Sequence, residues 1–293
     1  MTIFNIFTLL GGLAFFLFGM STMSNGLERI AGGKLERILG KMTDRPIKGL
    51  VLGAGITAII QSSSAVTVML VGLVNSGIMN LGQSIGVIMG SNIGTTITAW
   101  ILSLAGISSD NFFVSLLKPS SFSPLVAFGG ILLTMLSKKN KSKDIGAIMI
   151  GFAVLMCGMG LMGDSVSGLK DSPEFAQMLT AFNNPLLGVV VGAVFTGIIQ
   201  SSAASVSILQ GLSMSGHLTY GMALPIIMGQ NIGTCITAIM GAIGANRNAR
   251  RTSMVHLLFN VVGAAMFAIV FYGLGMFIEW SFLETSVQAW DIS

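Results

Sequence analysis

Gln61-Ser62-Ser63-Ser64, followed by Gly90-Ser91-Asn92-Ile93-Gly94-Thr95, decides the fold prediction because the chain contains this pattern twice. The second copy reads Gln200-Ser201-Ser202-Ala203, followed by Gly229-Gln230-Asn231-Ile232-Gly233-Thr234. Residues 51–99 and 190–238 align without a gap at a constant offset, and about half of the positions are identical. Both copies carry polar residues inside apolar sequence, which is typical of membrane transporters whose site lies between two internal repeats.

The composition predicts a membrane protein. Of 293 residues, 53% are hydrophobic and only 9% are charged, with a mean hydropathy of +0.84, whereas soluble domains carry roughly 25% charged residues. The net charge of +4 comes from basic residues in short tracts between apolar segments, which is typical of cytoplasmic loops and argues against nucleic-acid binding. Cys157 and Cys235 lie in apolar stretches and are interpreted as packing residues.

The apolar segments predict an all-α polytopic membrane protein. Met1–Met23 lacks a basic n-region and an A-x-A site, so the first apolar run is interpreted as a retained span and not as a signal peptide. A span needs about 20 residues. The predicted spans are Ile3–Met23, Leu81–Ile107, Phe122–Ser137, Ile145–Gly163, Leu218–Ile243 and Met254–Glu279.

Two further segments, Ile47–Ile78 and Leu186–Gly216, each consist of an apolar arm, a Gln-Ser-Ser turn and a second apolar arm. An arm of roughly 14 residues gives about 20 Å of helix, which is too short to cross about 30 Å of hydrocarbon. We therefore predict two re-entrant hairpins with their polar tips at mid-depth, where non-helical backbone is tolerated if it lines a cavity.

The distribution of charge predicts the topology. With six spans and two hairpins, the basic tracts that begin at Arg29, Lys138 and Arg247 all fall on one side of the membrane, and both termini fall outside. Three spans and one hairpin form each half, so the halves are predicted to be inverted repeats. The predicted divisions are residues 1–137, a connecting loop at 138–143, residues 144–279 and an external tail at 280–293. For Leu27–Leu39 the sequence leaves two interpretations, an interfacial amphipathic helix and an ordinary charged loop.

The polar residues of the predicted spans and hairpins are neutral. No Asp, Glu, Lys or Arg lies in the middle of a predicted span, which argues against a proton relay built on carboxylates. Each hairpin tip exposes a helix N-terminus, where free N–H groups favour an anion. The glycines of the Asn-Ile-Gly-Thr segments predict broken helices whose freed carbonyls bind Na⁺. Because cations offset the cost of desolvating an anion, the sequence predicts sodium-coupled transport of a small oxyanion. No nucleotide loop, metal cluster or catalytic triad is present in the sequence, so an enzyme is not predicted.

At these residues the sequence resembles the type II sodium–phosphate cotransporter family, over roughly Gly12 to Glu279. The resemblance implies sodium-driven movement of inorganic phosphate, with no cofactor besides Na⁺ as coupling ion, in the cytoplasmic membrane of a bacterium. The predicted phosphate-binding residues are Ser62, Ser63, Ser64, Asn92, Thr95, Ser201, Ser202 and Asn231. The predicted sodium-binding residues are Gln61, Thr98, Gln200, Ser201, Thr234 and Thr237.

The second repeat departs from the family pattern at two positions. Ala203 replaces the third serine, which removes one hydroxyl, and Gln230 stands where the first repeat has Ser91. Alternatives to phosphate import are another oxyanion (arsenate, sulfate or a dicarboxylate), phosphate export, and an anion channel or membrane scaffold. The partners predicted from the sequence are phosphate, Na⁺ and the lipid bilayer, and a homodimer is left open.

Overall fold

The computed structural model describes residues 3–31, 38–39, 43, 45–103, 119–167, 184–275 and 280–292. Over this part of the chain the fold is helical and has no β-strand, apart from an isolated bridge between Thr219 and Ser286. The prediction of an all-α protein is confirmed. The helices are α1 (Ile3–Ala31), α2 (Pro46–Ile60), α3 (Ser63–Asn75), α4 (Leu81–Ser103), α5 (Pro119–Leu136), α6 (Asn140–Ser167), α7 (Pro185–Ile199), α8 (Ser202–Ser213), α9 (Tyr220–Gly233), α10 (Cys235–Gly241) and α11 (Arg247–Gly275), with short 3₁₀ helices at Ser281–Glu284 and Ala289–Ile292.

Four stretches of the described helices are long and apolar enough to cross a membrane: Phe4–Ile30, Asn140–Met162, Tyr220–Gly241 and Arg247–Leu274. Each of them overlaps a predicted span. The other two predicted spans correspond to α4 and α5, which are 23 and 18 residues long and are not among the four. Large apolar side chains on α11, such as Met266 and Ile269, are exposed, as expected of a helix that faces lipid.

The boundaries of α1 bear on the open question about Leu27–Leu39. Residues 27–31 continue α1 and do not start a separate helix. Arg29 forms an ion pair with Asp144 on α6, with 2.7 Å between Nε and Oδ1. Residues 32–37 lie outside the described part of the chain.

Each predicted hairpin segment consists of two short helices that meet at a Gln-Ser junction. The arms are 15 and 13 residues long in the first segment and 15 and 12 in the second. At the junctions Gln61 and Gln200 adopt left-handed backbone, with φ of 60° and 58°. The serine that follows each glutamine is extended and caps the next helix.

The predicted break at the first Asn-Ile-Gly-Thr segment is wrong. Helix α4 runs from Leu81 to Ser103 without interruption. In the second copy α9 ends at Gly233 and α10 begins at Cys235, but Thr234 between them keeps right-handed helical backbone (φ −58°, ψ −25°).

The glycines of these segments serve close helix packing, which is why they do not unwind α4. A Cβ at Gly90 would overlap the carbonyl oxygen of Leu50 on α2, and a Cβ at Gly229 would overlap that of Val189 on α7. Small residues permit such backbone approach between membrane helices. The offset of 139 residues that relates Gln61 to Gln200 therefore also relates the α2–α4 contact to the α7–α9 contact.

Helices α1 and α6 pack against each other through the same kind of contact. Gly12 faces the carbonyl oxygen of Gly158, and Gly19 faces that of Gly151. The repeat offset relates Gly12 to Gly151 and Gly19 to Gly158. The Gly12–Gly158 contact of one repeat is therefore equivalent to the Gly151–Gly19 contact of the other, and the two contacts exchange places. Phe16 and Leu155, which the offset also relates, are both buried between these contacts.

The close approach of α2 and α4 leads to a stability prediction. We expect Gly90→Ala to force the two helices apart and to lower the melting temperature of the detergent-purified protein by several degrees, because overpacking costs about 1–3 kcal/mol. Gly55→Ala is the matched control, since a Cβ at Gly55 has no neighbour within 4 Å. Thermal unfolding of both variants tests this, and equal melting temperatures would contradict it.

The segment predicted as a tail, residues 280–293, packs on the helices over its described part. Val287 and Ile292 are buried against Leu218 and Met222. The amide of Val287 donates to the carbonyl oxygen of Leu218 at 2.8 Å. This segment therefore covers the start of α9.

Candidate functional site

The two Gln-Ser-Ser junctions meet at one cavity of about 300 Å³. Each junction contributes its glutamine and the residues that begin the following helix. Among the described residues that line this cavity, none is charged. The lining residues are Leu17, Met20, Ser21, Ser24, Asn25, Gln61, Ser62, Ser63, Ser64, Thr95, Thr98, Gln200, Ser201, Ser202 and Ala203.

The local sequence explains the shape of each junction. Glutamine ends one helix in left-handed backbone, which is uncommon for residues other than glycine and is often found at functional sites. The next serine is extended and caps the second helix: Ser62 Oγ accepts from the amide of Ala65, and Ser201 Oγ accepts from the amide of Ala204, both at 3.2 Å. The Gln61 carboxamide donates to the carbonyl oxygen of Ala58.

These junctions direct two helix N-termini at the same space. The first N–H groups of a helix have no acceptor within that helix, and each capping serine satisfies one of them. The amides of Ser63 and Ser64 on α3, and those of Ser202 and Ala203 on α8, belong to these first turns. With the partial positive charge of two helix ends, the cavity favours a small anion that accepts several hydrogen bonds.

Most of the predicted site residues come together here. Of the predicted phosphate ligands, the cavity contains Ser62, Ser63, Ser64, Thr95, Ser201 and Ser202. Of the predicted sodium ligands, it contains Gln61, Thr98, Gln200 and Ser201.

Four predicted site residues lie elsewhere. Asn92 and Asn231 line a second cavity of about 420 Å³, together with Thr96 and Asn260. Asn92 donates to the carbonyl oxygen of Ile88 at 3.1 Å. The Thr234 hydroxyl donates to the carbonyl oxygen of Gln230 and the Thr237 hydroxyl to that of Thr234, at 2.9 and 3.0 Å, and neither threonine lines either cavity. Asn92 and Thr95 line different cavities because α4 is continuous, and successive polar residues of an intact helix face different sides.

Sequence reasoning missed one wall of the first cavity. Ser21, Ser24 and Asn25 lie on one face of α1 and line the cavity opposite the junctions, and Asn25 Nδ2 donates to Ser21 Oγ at 3.3 Å. The signal was present, since these residues have the i, i+3, i+4 spacing of one helix face inside an apolar run. The repeat could not reveal them, because the offset relates Ser21 to Gly160 and Asn25 to Asp164.

The substitution of Gln230 for serine changes the hydrogen bonding behind the second junction. In the first repeat the Thr57 hydroxyl donates to Ser91 Oγ at 3.1 Å. In the second repeat the equivalent Thr196 hydroxyl donates instead to Ser205 Oγ at 2.8 Å. Ser205 thus has a structural hydrogen-bond partner in the second repeat.

The fold and the cavity define a polytopic membrane protein with a polar internal site. The chain belongs to the Na⁺/Pi-cotransporter family, whose model matches two successive stretches, residues 15–164 and 166–284. The family consists of transporters and not enzymes, which agrees with the sequence prediction. The name of the family describes cotransport of Na⁺ and inorganic phosphate.

Three relatives illustrate the similarity. The uncharacterized protein YqeW of Bacillus subtilis is 31% identical over 87% of this chain and 78% of its own length. A protein of Escherichia coli K12 named putative inorganic phosphate export protein YjbB is 26% identical over 87% of this chain, and mouse sodium-dependent phosphate transport protein 2A is 23% identical over the same share. The chain spans 45% of the length of YjbB and 59% of that of the mouse protein. No solved structure matches it.

Proposed function

We propose that this protein couples Na⁺ to the movement of inorganic phosphate across a bacterial cytoplasmic membrane. The observation that carries the proposal is the cavity at which both Gln-Ser-Ser junctions meet, with two helix N-termini and no charged side chain among its described lining residues. A dianion in such a site needs cations to offset its desolvation. Membership of the Na⁺/Pi-cotransporter family agrees with this solute and this ion.

Within the cavity we assign different roles to amides, hydroxyls and carboxamides. Ser63, Ser64 and Ser202, with the first amides of α3 and α8, bind phosphate, since they are donors at positive helix ends. Sodium is a hard cation that binds oxygen ligands, and the side chains of Gln61, Gln200 and Thr98 supply such oxygens in this cavity. Asn92, Thr95, Asn231, Thr234 and Thr237 remain sequence predictions, of which only Thr95 lines this cavity.

The proposed mechanism is alternating access between two inverted repeats, each containing a re-entrant hairpin. Two observations support the repeats: the paired left-handed glutamines and the exchanged Gly12–Gly158 and Gly19–Gly151 contacts. A two-fold relation that passes through the α1–α6 crossing produces this exchange. In such transporters the site lies near the midplane and opens to one side at a time. The positive-inside rule applied to the basic tracts supports an external location of both termini.

Export is the second direction in which the same site could work. The name of YjbB describes phosphate export, and a secondary transporter moves its solute down the combined gradient in either direction. The site itself is compatible with both, so the direction follows from the gradients in the cell.

Uptake of radiolabelled phosphate into proteoliposomes tests the proposed coupling. We expect accumulation with an inward Na⁺ gradient and none with a matched K⁺ gradient. Liposomes without protein, and excess unlabelled sulfate or arsenate, serve as controls for leak and for solute choice. Phosphate flux of equal size under both gradients would refute coupling and favour a channel.

A further inference from the structure

The cavity is asymmetric with respect to the two repeats. It extends along α1 to Ser24 and Asn25, but none of the described residues that line it belongs to α6, the helix that the repeat offset relates to α1. The cavity therefore extends along α1 and has no matching extension along α6. In the second repeat, the corresponding space contains contacts between α6 and α8.

One methionine on α6 makes such a contact. Met162 is 1% exposed and packs with Met156 and Ala204. Its Cβ lies 3.8 Å from the position that a Cβ would take at Gly211 of α8. Gly211 is itself buried, so the methionine lies directly on the helix that begins at the second junction.

The repeat offset relates Met162 to Met23 on α1 and Gly211 to Gly72 on α3. This second pair is apart: Gly72 is exposed, and a Cβ at this glycine would have no neighbour within 4 Å. Met23 is half-buried and borders a separate cavity of about 270 Å³. The same two residue types thus occur in contact in one repeat and apart in the other.

We propose that Met162–Gly211 and Met23–Gly72 are two alternating gates, of which the first is closed and the second open in this structure. Transport exchanges the two arrangements: Met23 packs on Gly72 as Met162 leaves Gly211. The residues suit this role, because methionine is flexible and apolar. Glycine has no side chain, so the methionine side chain can reach the backbone of the facing helix. This inference rests on the proposed alternating-access function and names the residues that carry it out.

Engineered cysteine pairs test the gates. The 3.8 Å separation at the closed gate equals the usual Cβ–Cβ distance of a disulfide, about 3.8 Å. In a Cys157→Ser background, with the buried Cys235 retained, we expect M162C/G211C to cross-link readily under mild oxidation without Na⁺ or phosphate. We expect M23C/G72C to cross-link several-fold less under that condition and more when Na⁺ and phosphate are added.

Each cross-link should stop transport reversibly. Oxidation of either pair is expected to lower phosphate uptake at least about 10-fold relative to the same protein when reduced, while the uptake of the four single-cysteine variants should not respond to oxidation. The proposal is overturned if M23C/G72C cross-links under none of the conditions, if M162C/G211C fails to cross-link, or if a cross-linked protein transports at the reduced rate. Cross-linking is measured without transport, so cross-linking of both pairs that does not depend on added phosphate, in a protein that moves no phosphate, would support the gates and refute the proposed solute.

A bulky residue at the open gate gives a second test that needs no disulfide. Gly72→Leu occupies free space in this structure and is expected to fold, but it prevents Met23 from packing on α3. We expect phosphate binding to persist and uptake to fall at least about 10-fold. Gly55→Leu, on an exposed face with no neighbour within 4 Å, is the matched control, and full uptake by Gly72→Leu would contradict the gate.

Discussion

Replacing Gln61 or Gln200 by glycine is expected to lower coupled phosphate uptake strongly at a fixed Na⁺ concentration while leaving the protein folded. Both glutamines have left-handed backbone, which costs a residue with a Cβ about 1–2 kcal/mol relative to glycine. Glycine relieves this strain, and at position 61 the gain offsets the lost hydrogen bond from the carboxamide to Ala58, which contributes about 1 kcal/mol. Each glycine variant lacks the side-chain carboxamide of a residue that lines the cavity, and with it a proposed oxygen ligand of Na⁺.

The expected size of this effect follows from the lost ligand. A hydrogen bond or comparable contact to a charged group contributes about 1.5–3 kcal/mol, so each variant should weaken apparent Na⁺ affinity by about 10- to 100-fold. Na⁺ titration of phosphate uptake, with melting temperature as the control for folding, measures both quantities. Uptake at the wild-type level in both glycine variants would remove these residues from the site.

Replacing Ser64 by aspartate is expected to eliminate phosphate binding. Ser64 lines the cavity in the first turn of α3, where a carboxylate stabilises the helix end by about 0.3–1 kcal/mol. The same negative charge repels phosphate. Two unit charges about 4 Å apart interact by about 4 kcal/mol at an effective dielectric constant of about 20, which corresponds to a loss of affinity of about 1,000-fold.

Ser64→Asn is the matched control for Ser64→Asp, since it has nearly the same shape and no charge. We expect it to retain most of the phosphate affinity. Equilibrium binding of radiolabelled phosphate to both variants in NaCl distinguishes charge from shape. Equal affinities for the two variants would place the anion away from the N-terminus of α3.

The junctions could be predicted from the sequence because their polar residues interrupt otherwise apolar stretches, and because this pattern occurs twice. Repetition does not distinguish a glycine that unwinds a helix from one that admits a neighbouring helix, so the break at Asn92–Thr95 was predicted wrongly. The function of Gly90 depends on Leu50, which lies 40 residues earlier in the chain. Local sequence cannot show such a contact.

The α1 wall was missed for a different reason. Ser21, Ser24 and Asn25 have no polar counterparts at the matching positions of α6 except at Asp164, so the comparison of repeats favoured residues that both halves share. Under the proposed alternating access, a site uses different walls on its two sides. The residues that differ between repeats therefore carry information that the shared motif lacks.

The central claim is that the two Gln-Ser-Ser junctions form a single phosphate site, and the stoichiometry of phosphate binding tests it most directly. Binding of radiolabelled phosphate in NaCl would be measured for the wild type, Ser63→Ala, Ser202→Ala and the double variant. The account predicts one phosphate per chain in the wild type, with either single substitution weakening that one binding event. Two phosphates per chain, one of which is lost with each substitution, would contradict it.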